Sequence, residues 1–132
     1  RIQFGYIDDL CEAVNFSLDN PHFFNQIFNI SGDESITIKD YIKMCSLISG
    51  KQPLIYNIDL EKENLKARDW FPFRNKNLIG DISKIEKTGF RNKYSLEEGL
   101  GKTYLYLKEN NKLEVLVLND IESCFGRRLE KE

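Results

Sequence analysis

Short apolar runs alternate along this chain with stretches whose apolar residues recur every three or four positions, the rhythm of an α/β fold in which strands and amphipathic helices take turns. Ile2 to Ile7 reads as a strand. Asp8 and Asp9 follow as cap residues, with Glu12 three positions after Asp9 as in a capping box, and Leu10, Ala13, Val14, Ser17 and Leu18 then share one helical face. Asn20-Pro21 ends that helix, because the residue before a proline avoids the helical region. Gln26 to Ile30 predicts a second strand, and Ser31-Gly32-Asp33-Glu34 is turn chemistry. Thr37 opens a helix whose face carries Ile38, Tyr41, Ile42, Cys45 and Ile48, and Gly50 closes it as a left-handed cap.

Pro53 to Ile58 fits an edge strand, since a proline at the first position breaks no ladder bond, and the charged stretch Leu60 to Trp70 has room for a short surface helix. Leu78 to Ile82 predicts another strand. Ser83 with Glu86 then marks a brief helix stopped by Gly89, and Ser95 with Glu98 repeats the capping box ahead of a stripe of Leu96, Leu100, Thr103, Tyr104 and Leu107. The tail, 111–132, reads as helix through Leu116, Ile121, Cys124, Phe125 and Leu129, with a strand over Leu113 to Leu118 as the competing pattern.

About four short strands set among several amphipathic helices imply parallel pairing, or pairing with strands outside the chain, and both faces of a parallel sheet need cover. An apolar face is therefore expected where a partner docks. The chain opens Arg1-Ile2-Gln3-Phe4, with no methionine and already in the pattern of a strand interior, so it is expected to be part of something longer.

Composition narrows the function classes. A formal charge of -2 with both signs interspersed argues against a broad cationic face for duplex nucleic acid, and the apolar runs are too short to span a bilayer, which leaves the cytoplasm as the default address. Cys11, Cys45 and Cys124 lack the paired spacing of zinc or redox motifs and read as reduced thiols. His22 is the single histidine and stands in a turn. No two-histidine metal site can be built within one chain.

The passage Phe4-Gly5-Tyr6-Ile7-Asp8-Asp9-Leu10 with Glu12-Ala13, then Ile27-Phe28-Asn29-Ile30-Ser31-Gly32, then Ile36-Thr37, then Gly80-Asp81-Ile82-Ser83-Lys84 to Gly89-Phe90 resembles, in order and spacing, the carboxy-terminal part of the NAD-dependent epimerase/dehydratase family of extended short-chain dehydrogenases. It covers residues 1–108. The resemblance implies a substrate-binding domain over 1–110 that closes on a nucleotide-sugar, completed by an amino-terminal Rossmann domain that holds NAD(P) and supplies a Tyr-x-x-x-Lys pair. Neither the Gly-x-Gly-x-x-Gly fingerprint nor a well-placed pair occurs here, so this chain is expected to bind no cofactor alone and to hold no catalytic residue.

Two local matches are decoys. Tyr104 and Lys108 have the catalytic spacing but lie on the stripe of the last helix, and Gly99-Leu100-Gly101-Lys102-Thr103 mimics the end of a phosphate loop without its first glycine and beside Glu97 and Glu98. The resemblance gives Arg74, on the aromatic run Phe71-Pro72-Phe73, the role of reaching the substrate diphosphate, for which a planar guanidinium fork is suited. Arg1 takes a weaker version of the same role. Asp8 and Asp9 read as capping groups rather than a carboxylate pair for catalysis.

Trp70, Phe71 and Phe73 interleaved with Arg68, Arg74 and Lys76 also allow stacking on single-stranded bases, and the Gln3-Phe4-Gly5-Tyr6-Ile7 and Phe-Pro-Phe-Arg runs are similar to the plastid stem-loop RNA-binding branch of the same superfamily. The net acidity weighs against that second reading.

Overall fold

The structure, a computed structural model, describes residues 1–53, 55, 59, 61–62 and 77–113. In chain order these form β1 (Ile2–Gln3), α1 (Ile7–Leu18), a single 3-10 turn (Pro21–Phe23), β2 (Ser35–Ile36), α2 (Ile38–Ser49), α3 (Ser83–Glu86) and α4 (Leu96–Glu109). The described part is mostly helical with two short strands.

The predicted strands shrink because a strand exists only where another backbone answers its N–H and C=O groups. β1 pairs antiparallel with β2 at Ile2↔Ile36 and Gln3↔Ser35, and Leu78 adds one parallel bridge to Ile2. Gln26 to Ile30 has no ladder partner among the described residues, and Ile27 is 87% exposed. A side chain takes over part of the missing ladder: Gln3 Nε2 donates to the Gly32 carbonyl at 2.5 Å while its Oε1 accepts the Gly80 N–H at 2.8 Å. The Gly32 N–H donates to the Phe4 carbonyl at 3.1 Å, an approach so close that a Cβ at Gly32 would run into that oxygen.

Helix ends follow local chemistry in four cases and depart from it in two. The Thr37 hydroxyl accepts the Asp40 N–H at 3.1 Å, and Gly50 at φ 69 closes α2 by donating to Ser46. Gly89 at φ 95 stops the chain after α3, and the Ser95–Glu98 box opens α4 with both reciprocal bonds made. Ser83 does not cap α3. The Asp81 carboxylate accepts the Ser83 N–H at 2.9 Å instead, reaching the first free amide from one residue before the helix boundary. Nor do Asp8 and Asp9 precede α1, which starts at Ile7 behind Tyr6 and has no side-chain cap.

The core is small and aromatic. Ala13 of α1, Ile85 of α3 and Phe90 are buried, with Phe23, Phe28 and Ile82 packed around them, and the Phe16 ring lies 5.8 Å from both Phe23 and Phe90. Burying an Ile or Phe side chain is worth about 1.5–3 kcal/mol, so Ile85 and Phe90 carry much of the local stability. Lys84 fastens the extended segment to this core through the Gln26 side chain and the Ile27 carbonyl, 3.0 and 2.8 Å away, with its ammonium 4.7 Å from the Phe28 ring centre.

On α1 only Ala13 of the predicted face is buried. Leu10, Val14 and Leu18 are exposed by 44, 52 and 65%, as is Ile7 one turn earlier. α2 and α4 pack together, with Leu96, Leu100, Tyr104 and Leu107 half-buried and Thr103 turned out, its hydroxyl donating to the Gly99 carbonyl. The tail beyond 113, most of the 53–58 strand and most of the 60–70 helix lie outside the described residues. Among the described residues no helix is long and apolar enough to cross a membrane.

Candidate functional site

The end of β1 and the start of α1 meet α2 and α4 around a cleft of about 210 Å³. Four aromatic rings line it. Phe4 stacks on Tyr41 at 4.6 Å between centres and 22° between planes, and Tyr6 meets Tyr94 edge-on at 5.0 Å and 71°. Gly99 makes room for Tyr6: a Cβ there would stand 3.1 Å from the Tyr6 Cβ. Asp33 and Glu34 contribute the charged lining.

Both acids are held by one oxygen. Asp33 Oδ1 accepts the Asn92 amide at 2.6 Å, and Glu34 Oε1 accepts the Leu96 N–H at 3.3 Å, where α4 begins. Burial pushes the Tyr41 phenol above its ordinary value, and the neighbouring Cys45 sulfur adds to the rise. Glu98 is held below the usual carboxylate range, first by the Ser95 N–H and then by the Ser95 hydroxyl. The amides of the α4 N-terminus thus already face protein acceptors: Leu96 has Glu34 and Glu98 has the Ser95 hydroxyl.

That arrangement decides the phosphate-loop mimic. Gly99 to Thr103 lies inside α4 rather than ahead of it, so the two glycines cannot wrap a phosphate, and the Ser95 and Leu96 amides point at acidic side chains. Gly99 is the close-packing glycine, whereas a Cβ on Gly101 would meet nothing within 4 Å. The described residues do not fit a dinucleotide.

A second cleft of about 230 Å³ lies between the first turn of α1 and Ile30-Ser31, bordered by Ile7, Leu10 and Asn92. Asp9 lines it and is only 3% exposed, its two oxygens accepting the N–H groups of Lys93 at 2.8 Å and Tyr94 at 3.4 Å. The expected cap on the start of α1 is not made by Asp9. The amides it satisfies belong to the loop before α4, not to its own helix.

Of the two predicted diphosphate contacts, Arg74 lies outside the described residues. Arg1 is in view with its guanidinium committed to β2: Nε donates to the Ser35 hydroxyl at 3.0 Å and Nη2 to the Ser35 carbonyl. Its own carbonyl accepts the Leu78 N–H at 2.8 Å, which ties it to the segment that follows Arg74 in sequence. Tyr104 is half-buried on α4 and Lys108 exposed in its last turn. His22 stands exposed in the 3-10 turn with its N–H on the Asn20 side chain. Among the described residues no three metal-ligating side chains gather.

Sequence reasoning passed over the aromatic cleft. Its signal was there: Phe4 and Tyr6 alternate on the strand period and face one side, and Tyr94 immediately precedes the Ser95 cap.

Sequence comparison finds distant homology to members of the extended short-chain dehydrogenase/reductase family. The chain is 29% identical over 104 residues to the chloroplast stem-loop binding protein of 41 kDa b of Arabidopsis thaliana, covering 77% of this chain and 28% of that one. It is likewise 29% identical over 109 residues to the probable GDP-L-fucose synthase 1 of Oryza sativa subsp. japonica, covering 82% of this chain and 30% of that protein. The chain therefore spans less than a third of the length of these curated relatives. No family model matches it, and no solved structure does.

Proposed function

We propose that residues 1–110 form the substrate-binding portion of an NAD(P)-dependent sugar-nucleotide epimerase or dehydratase, with 111–132 as a tail, and that the portion does no chemistry alone. The carrying observation is the match along 82% of the chain to a probable GDP-L-fucose synthase. In this reading Arg74 meets the diphosphate with its guanidinium fork, and Arg1 joins it by exchanging its Ser35 partners for phosphate oxygens. The acid-lined cleft is the wrong place for the diphosphate. A Rossmann domain supplies NAD(P), the hydride acceptor of this enzyme class, and docks on the apolar side of α1, which Ile7, Leu10, Val14 and Leu18 leave uncovered. The protein works in the cytoplasm.

Calorimetric titration of the chain with a nucleoside-diphosphate sugar tests this reading. Saturable binding that Arg74→Ala weakens strongly and Arg1→Ala weakens less is the expected result, with no change in nicotinamide absorbance when NAD(P) is added. Reduction of NAD(P) by the chain alone would overturn the claim that it is catalytically incomplete, and loss-free binding in Arg74→Ala would overturn the site.

The match to a stem-loop binding protein favours a second reading, in which the chain binds single-stranded RNA. Filter binding with steep salt dependence and loss on Arg74→Ala would select it over the enzyme.

A further inference from the structure

The cleft at the β1–α1 junction combines two features that both prefer positive charge. The faces of aromatic rings carry the negative end of a quadrupole, and Phe4, Tyr6, Tyr41 and Tyr94 all border the same 210 Å³ space. The ionisable acids and bases among its lining, apart from the tyrosines, are Asp33 and Glu34, each with one carboxylate oxygen held by a neutral N–H donor, and neither forms an ion pair among the described residues. A cation already sits on one of these rings. Lys102 Nζ lies 5.0 Å from the centre of Tyr94, so an incoming cation shares that ring with a lysine ammonium and relies on the other three rings and the two carboxylates.

We propose that this cleft binds a small organic cation with an alkylammonium head group, its methyl or methylene groups against the rings and its charge facing Asp33 and Glu34. An anion meets repulsion there. A neutral apolar ligand of the same shape gains the contacts with the rings but leaves the carboxylates without a counter-charge. Its ligand is opposite in sign to the diphosphate assigned to Arg74 and Arg1.

The test compares choline with 3,3-dimethylbutan-1-ol, its neutral isostere, by following amide shifts of Glu34, Tyr94 and Gly99 in the folded chain by NMR. The expected result is saturable shifts with choline and binding of the isostere about tenfold weaker, as a desolvated cation–π site requires. Glu34→Gln, which keeps an oxygen acceptor for the Leu96 N–H, weakens choline several-fold, and Tyr94→Phe retains binding because it retains the ring. Equal binding of the isostere, or choline shifts that never saturate, would overturn the proposal without reliance on any variant.

Discussion

Asp9 in the first turn of α1 accepts the Lys93 N–H at 2.8 Å, joining residues 84 positions apart through a carboxylate that is almost wholly buried. A buried acid is tolerated only where donors surround it, and here the donors are two consecutive main-chain amides of the loop that aims α4. The link fixes where α4 begins relative to α1.

Removing that acceptor leaves the Lys93 and Tyr94 N–H groups facing a void. Asp9→Ala is expected to lower stability by about 2 kcal/mol, the range for stranded buried donors, and Asp9→Asn by less because one acceptor oxygen remains. Urea denaturation followed by circular dichroism measures both, and an Asp9→Ala chain as stable as the parent would contradict the structural role.

Two glycines of one helix should respond in opposite directions to the same substitution. Gly101→Ala places its methyl where nothing lies within 4 Å, and it should stabilise α4 by about 0.5–1 kcal/mol through helix propensity. Gly99→Ala brings a Cβ to 3.1 Å from Tyr6 and should give up that gain or more by shifting the ring. Thermal midpoints of the two variants, compared side by side, check the sign of each.

Acid should weaken the fold through its helix caps. Glu98 is held low by Ser95, Asp81 by the Ser83 N–H and then its hydroxyl, and Asp40 by the Thr37 hydroxyl and then Lys43. Carboxylates with lowered folded pKa values take up protons more readily in the unfolded chain, so their contribution is complete above the unfolded carboxylate range and disappears as pH falls through the lowered values. Urea midpoints should therefore drop below about pH 4.5. Glu98→Gln should make that drop shallower, and a profile steeper than the parent's would rule out the cap as a cause.

The uncovered side of α1 predicts self-association of the isolated chain. Light scattering across micromolar concentrations should show a mass that rises with concentration, and Leu10→Lys with Val14→Lys should return it to a monomer. A parent chain that stays monomeric throughout would remove this face as a contact surface between copies.

Features encoded within a few residues were legible in sequence. Thr37 with Gly50, the Gly89 stop and the Ser95–Glu98 box depend on backbone groups three or four positions away, and each stands where its residue type demands. The caps expected at Asp9 and Ser83 were misplaced for the opposite reason. Asp9 answers amides that the fold alone brings near, and the Ser83 N–H, which a capping box gives to the Glu86 carboxylate, goes to Asp81. The strands at Gln26–Ile30 and Leu78–Ile82 have the right composition, but a ladder needs a neighbour, and the described chain offers the second a side-chain amide and one bridge and the first the Lys84 ammonium at the Ile27 carbonyl. The strand period pairs Phe4 with Tyr6, but only the folded chain brings Tyr41 and Tyr94 to them to form the aromatic cleft.

Gln3 carries a consequence for the order of folding. Its single side chain clasps partners 29 and 77 positions away, whereas α1 and α4 need only contacts within a few residues of themselves. Helices form in about a microsecond, but the clasp must wait for both long loops to close, so the junction of the three segments is among the last parts of the molecule to assemble. During synthesis Gln3 leaves the ribosome ahead of both its partners and cannot complete the clasp until Gly80 has been made.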